Sequence, residues 1–167
     1  MPFDLPRRSH VFVDESKAGS YYLAAAVVPP SGVTAARSAI KGLRHKGSSA
    51  VHFKSERDAT RRSFLKGAAS TGVKTVVYIV DGQPDKIARP LCLEALIHDL
   101  CQADAEHLVL EQDDSLAAAD RRIIQAQVRL NGNTQLQYRH VRRTEEPLLW
   151  VGDAVAWCFQ KGGSWRA

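Results

Sequence analysis

Three strand-like runs come before any regular alternation of strand and helix in this chain, and that order limits the folds it can adopt. HVFVD at residues 10–14 and YYLAAAVV at 21–28 are rich in β-branched and aromatic residues, and a short turn at 17–20 between them favours antiparallel neighbours. VKTVVYIV at 73–80 is a third strand, closed by the turn signal Asp81-Gly82. From there the pattern alternates. A helix is predicted over 84–103, a strand over HLVLEQD at 107–113, a helix over 116–130, a strand over TQLQYRHV at 134–141 and a last helix over 147–161. Between the second and third strands lie a helical pattern at 33–45, a short extended VHFK and another helix at 56–69, which together read as an insertion spanning about residues 31–70.

Without the insertion the order is β-β-β-α-β-α-β-α. This resembles the ribonuclease H-like fold, an α/β architecture in which a mixed five-stranded sheet carries helices on both faces. The 167 residues contain no internal repeat and no linker that would divide them, so a single domain over 1–167 is expected, large enough to bury a core without disulfides. Cys92, Cys101 and Cys158 form no CxxC pair and read as buried thiols. No apolar run reaches the ~18 residues that span a bilayer, and MPFDLPRRSH lacks the apolar segment of a secretory signal, so a cytoplasmic protein with no membrane partner is expected.

The chemistry depends on where acids fall on these elements. Asp14 ends the first strand, with Phe12 on its face and Val11, Val13 and Glu15 on the other; alone, it could be an Asx residue opening the turn. Glu111 ends the apolar run LVLE, on the same face as Val109, and by itself could be a surface acid. Asp153 is the only charge in LLWVGDAVAWCF, residues 148–159. A lone ionised Asp in an apolar helix is costly unless it is paired or binds a metal, so two partners are open: a cation shared with other acids, or an arginine from a neighbouring element. In a ribonuclease H-like sheet the first and fourth strands are adjacent and parallel, and the last helix lies over their ends. That topology would bring Asp14, Glu111 and Asp153 together, where three carboxylates repel unless bridged by a cation, with Mg²⁺ or Mn²⁺ suited to the oxygen donors.

Net charge is +5 and the basic residues cluster: Lys41, Arg44 and Lys46; Arg61 and Arg62; Arg139, Arg142 and Arg143. Such clusters can hold a phosphate backbone, which makes nucleic acid, DNA or RNA, the expected partner. The aromatic helix at 148–159 and the C-terminal GGSWRA could serve a homodimer.

VFVDES followed by YYLAAAVV, then LVLEQD, then PLLWVGDAVAW, resemble the beginning, middle and end of the domain-of-unknown-function family 3800, a branch of the ribonuclease H-like superfamily. The resemblance runs nearly the length of the chain and is most specific at Asp14-Glu15-Ser16 and at Leu149-x-x-x-Asp153-Ala154. Lys17 stands where a glycine commonly follows Asp-Glu-Ser, with Gly19 two positions later, and Gly152 stands where alanine is usual. The resemblance implies further participants around the three acids. Glu15 is one, with the altered turn weighing against it. Asp120, followed by Arg121, matches an acid often found in the family, and Glu94 lies on a helix that supplies an acid in several ribonuclease H-like enzymes. His52 and Glu56 fall in the insertion, where a histidine could shuttle protons near the scissile phosphate. Asp113 and Asp114 compete between catalysis and capping the next helix, with Asp114-Ser115 read as the cap.

Two functions follow from different classes. One is a Mg²⁺- or Mn²⁺-dependent nuclease-like phosphodiester hydrolase with Asp14, Glu111 and Asp153 as ligands and catalytic residues. The other is a non-catalytic nucleic-acid-binding or protein-interaction module that keeps the fold. No GxxxxGK[ST], GxGxxG, HExxH or GxSxG sequence occurs, which disfavours nucleoside triphosphatases, dinucleotide enzymes, zincins and serine hydrolases of the usual fingerprints.

Overall fold

The computed structural model describes residues 5–17, 19–132 and 135–166. Thr134, expected to open the fifth strand, and Ala18, within the expected first turn, lie outside the described residues. The elements follow the predicted order. Strands β1 (His10–Ser16) and β2 (Tyr21–Val28) are followed by helices α1 (Val33–Lys41) and α2 (Asp58–Ala69) of the insertion. Then come β3 (Lys74–Val80), α3 (Asp85–Gln102), β4 (His107–Glu111), α4 (Asp114–Leu130), β5 (Gln137–Val141) and α5 (Leu148–Lys161).

The sheet order is β3-β2-β1-β4-β5. β2 pairs antiparallel with β1 and β3, whereas β4 is parallel to β1 and β5, so the C-terminal ends of β1, β4 and β5 share one edge of the sheet. The short β1–β2 turn makes that pair antiparallel and β3 returns antiparallel to β2 after the insertion, whereas β4 and β5 each follow a crossover helix and enter parallel. Gly19 takes φ +80 in the β1–β2 turn, which explains how the chain turns with lysine at position 17.

Alternation along the strands builds two cores. Val11, Val13, Leu23, Leu108 and Leu110 pack with Leu93, Leu96, Ile97 and Leu100 of α3 and Ile124 of α4. Phe12, Ala26 and Val109 face the other way, onto Ile40, Phe53, Phe64 and Trp150 from the insertion and α5. Fully burying each large apolar side chain contributes roughly 1.5–3 kcal/mol, and β2, buried throughout, feeds both layers as β1 and β4 do. Among the described residues no helix is long and apolar enough to cross a membrane.

Two local expectations are corrected. VHFK is extended only at its start: His52 is extended, but Phe53–Ser55 form a 3-10 turn, with Phe53 fully buried between Phe64 and Trp157. The cap of α4 is Asp113 and not Asp114; its carboxylate accepts from the Ser115 amide at 3.0 Å and from the Ser115 hydroxyl, and these bonds hold it below the usual carboxylate pKa.

Candidate functional site

The β1–β4 ladder pairs Phe12 with Val109 and Val13 with Leu110, so one step further along the strands Asp14 stands beside Glu111. Both share the face of Phe12 and Val109, the face that α5 covers. Gly152 makes the close approach of α5 possible. A Cβ there would lie 3.1 Å from the Asp14 amide nitrogen and 3.2 Å from the Ala24 carbonyl oxygen, both sheet backbone that cannot swing aside. Gly152→Ala is therefore expected to lower stability by about 1–2 kcal/mol, since overpacking of about 1–3 kcal/mol exceeds the helix-propensity gain of up to about 1 kcal/mol. Denaturant titration measures it, and an unchanged or raised midpoint would show that the α5–β1 spacing yields to the methyl group.

Asp153, one residue on, points to the same place. The three carboxylates converge, and the group at their centre is Arg143. Its Nη2 lies 2.9 Å from Asp14 Oδ2 and 3.0 Å from Glu111 Oε2, its Nε donates to Glu111 Oε1 at 3.1 Å, and its Nη1 lies 3.0 Å from Asp153 Oδ2. Asp153 Oδ2 also accepts from the Phe53 amide at 2.8 Å, which ties the insertion to the site. The Trp150 indole donates to the Arg143 carbonyl at 2.8 Å and so fixes the loop that carries the guanidinium. Arg143, expected on a nucleic-acid-binding surface, is thus the internal counter-ion of the acids. The sequence places it in RHVRR, where nothing distinguishes it from Arg139 and Arg142; only its position two residues past β5, at the shared edge, aims it inward.

The electrostatics remain unbalanced. Burial first, then the charges of Glu15 and Asp153, push Asp14 well above the ordinary carboxyl value of 3.8, although Arg143 pulls it down. Burial also works against the Arg143 charge, but Asp153, Asp14 and Glu111 outweigh it and hold the guanidinium firmly protonated. Three carboxylates against one guanidinium leave negative charge unmatched in a poorly solvated place, and an all-oxygen donor set with that excess fits a hard divalent cation. Arg143 holds the three acids wider than a shared ligand set. Among the described residues, the one group whose ligand atoms lie within 4.8 Å of one another is elsewhere: His10, Glu106 and His107.

The acids open into a pocket of about 750 Å³ rimmed by Lys17, His52, Lys54, Arg61, Trp157, Gln160 and Lys161. Lys17, Lys54 and Lys161 belong to no sequence cluster; they come from the first turn, the insertion and the end of α5, so only the fold assembles this basic rim around an acidic floor. Arg61 is partly committed. It lies 4.1 Å from the Trp157 ring, donates to the Phe53 carbonyl at 2.9 Å and pairs with Asp58, while Arg62 lies over Trp165. Trp157 and Trp165 pack edge to face within the chain, each half-buried.

The other candidates divide by position. His52 is on the rim, and Glu15 lines the pocket while its carboxylate reaches across the sheet to Arg89 at 3.2 Å. Buried Arg89 grips Asp120 through two bonds of 3.0 and 2.8 Å and donates to the Tyr21 hydroxyl, so Asp120 lies behind Arg89 and Glu15 and not in the pocket. Glu56 is turned to His45 at 3.0 Å, Glu94 and Arg121 are exposed on α3 and α4, and Asp113 is a cap; none of these four lines the pocket. Lys41, Arg44 and Lys46 surround a separate hollow beside His45, exposed Arg139 borders another with His10 and His107, and Arg142 is exposed. Glu146, which the sequence reading passed over, is buried, binds Arg37 through Nε and Nη2, and accepts from the Leu148 amide at the start of α5.

No family model and no curated protein matches the sequence. Among solved structures, the chain is similar to one from the PCNA:RNase HII complex of Archaeoglobus fulgidus, with a TM-score of 0.59 and 13% identity over 92% of this chain and 73% of that one. The fold is ribonuclease H-like. The ribonuclease H-like sheet explains the convergence, because Asp14 and Glu111 end adjacent parallel strands at the edge where a doubly covered sheet places its ligands.

Proposed function

We propose that the chain is a metal-dependent phosphodiester hydrolase acting on nucleic acid, with Asp14, Glu111 and Asp153 as the ligands of Mg²⁺ or Mn²⁺. The observation that carries this reading is the convergence of three acids, from β1, β4 and α5, on the floor of a pocket with a basic rim. The structural neighbour, by its name a ribonuclease, supports the same class. Membership of the domain-of-unknown-function family 3800 belongs to the proposal too, since VFVDES, LVLEQD and LLWVGDA each contribute one of the three acids.

The residues divide the work as follows. Asp14, Glu111 and Asp153 would hold the ions, which when bound supply an activated water and charge stabilisation at the phosphate. Lys17, Lys54, Arg61 and Lys161 would hold the backbone phosphates on either side of the floor. His52, exposed on the rim, would take or deliver a proton at the scissile phosphate. Arg143, held between the same three acids, would give up those pairs to the ions and would be free to hold a phosphate at the mouth of the pocket.

Arg143 also supports the second reading, a binding module in which a permanent guanidinium replaces the cation. Incubating the protein with single- and double-stranded DNA and RNA in Mg²⁺, Mn²⁺ or chelator separates the two. Cleavage that needs the metal is expected, while nucleic-acid binding that is equal in chelator and accompanied by no cleavage in any metal would establish the module.

A further inference from the structure

His10 opens β1 and Glu106-His107 open β4, at the opposite end of the sheet from the acids. We propose that these three side chains form a second metal site, for a first-row transition ion with Zn²⁺ first in order. His10 and His107 are direct partners in the parallel β1–β4 ladder, so their imidazoles leave the same face side by side, with ring centroids 4.5 Å apart and planes tilted by 50°. Glu106 closes the group: its Oε1 lies 3.3 Å from His107 Nε2, and each of the three residues offers a ligand atom within 4.8 Å of the others.

The backbone beneath is fixed. The Glu106 amide donates to the Ser9 carbonyl at 2.9 Å and the His107 amide to the same oxygen at 3.3 Å, which locks the start of β4 against the start of β1. Donors carried on paired strands need only small side-chain rotations to close on an ion with bonds of about 2.0–2.2 Å.

The donor chemistry selects the ion. Two imidazoles and one carboxylate suit zinc and its neighbours and are poor for Mg²⁺, which takes oxygen and water. Three protein ligands leave a coordination position open. It faces a hollow of about 470 Å³ lined by Tyr138, Arg139 and Arg37 along with both histidines, so water reaches it. Of the two guanidiniums there, Arg37 is matched by Glu146. All three ligand residues are half-buried, accessible enough to load and shielded enough to hold. The site lies about 13 Å along β1 from Asp14, counting four residues at about 3.3 Å each, so the two sites share no ligand.

The test titrates the full chain, stripped by chelator, with Zn²⁺ in a calorimeter and with Co²⁺ in a spectrophotometer. One Zn²⁺ is expected to bind with a Kd of about micromolar or tighter, and His10→Ala, His107→Ala and Glu106→Gln are each expected to weaken it at least about tenfold. Co²⁺ should give the visible bands of a low-coordinate nitrogen-ligated ion, lost in the histidine variants. His45→Ala should leave binding unchanged. Glu106→Gln, nearly isosteric, keeps the test valid where a histidine variant does not fold. Zn²⁺ binding that is as tight in His10→Ala/His107→Ala as in the wild type, or a wild type with Kd weaker than about 100 μM, would overturn the site.

Discussion

Arg143→Met is expected to destabilise the protein in chelator by about 3–5 kcal/mol, because it removes the cation among three carboxylates and leaves them buried and mutually repelling. Methionine keeps most of the apolar stem, so the effect reports charge more than volume. The pH dependence should follow. In the folded protein Asp14 titrates above its ordinary 3.8, so the native state binds more protons than the unfolded chain across that interval. Its contribution to stability is therefore largest below the unfolded value and is lost as pH rises through the folded one. Without Arg143, which pulls Asp14 down, the interval should widen and the loss at neutral pH deepen. Added Mg²⁺ or Mn²⁺ should restore much of the deficit, since a cation bound only by the folded state stabilises it by about 2.7 kcal/mol at a hundred times its Kd. Urea titrations of both proteins with chelator and with metal decide it. A variant as stable as the wild type in chelator would remove Arg143 from the role of counter-ion, and a destabilised variant that gains nothing from either metal would sink the metal site.

Asp153→Asn is expected to cut metal-dependent cleavage by at least about 10²–10³-fold, the loss typical of removing one electrostatic stabiliser from an active site, and to leave the fold nearly as stable as before. Both protein contacts of Asp153 land on one oxygen, Oδ2, which accepts from the Phe53 amide and from Arg143 Nη1. An asparagine oxygen can take that position and keep both bonds with its amide turned outward. Nor is Arg143 stranded, because Asp14 and Glu111 still hold it. The stability change in chelator should stay within about 1 kcal/mol, the net value of an ordinary hydrogen bond. Thermal melts and a cleavage time course on the same preparations separate the effects. Undiminished cleavage would free Asp153 from the metal, and a melt several kcal/mol below wild type in chelator would make its ion pair with Arg143 structural.

Much of the fold was legible because it is written in local patterns. The alternation of Phe12 and Asp14 against Val11, Val13 and Glu15 assigned the faces of β1 correctly: Asp14 turns toward α5, and Glu15 toward Arg89 on the other side. The isolation of Asp153 among apolar residues showed that it needed a partner. Asp120 carried no such signal, since an acid between three alanines and two arginines in a helix does not reveal that it is buried against Arg89.

The sequence by itself determined the element order, the strand faces and the three acids, because periodicity and the cost of burying a charge operate within a few residues of each other. It also left two partners open for Asp153, a shared cation or an arginine. Only the tertiary structure brought Arg143, 129 residues from Asp14, between the three carboxylates, drew Lys17, Lys54 and Lys161 into one rim, and set His10 beside His107. Those encounters depend on which strands become neighbours and in what register, and long-range pairing of that kind leaves no mark on the composition or spacing of either segment.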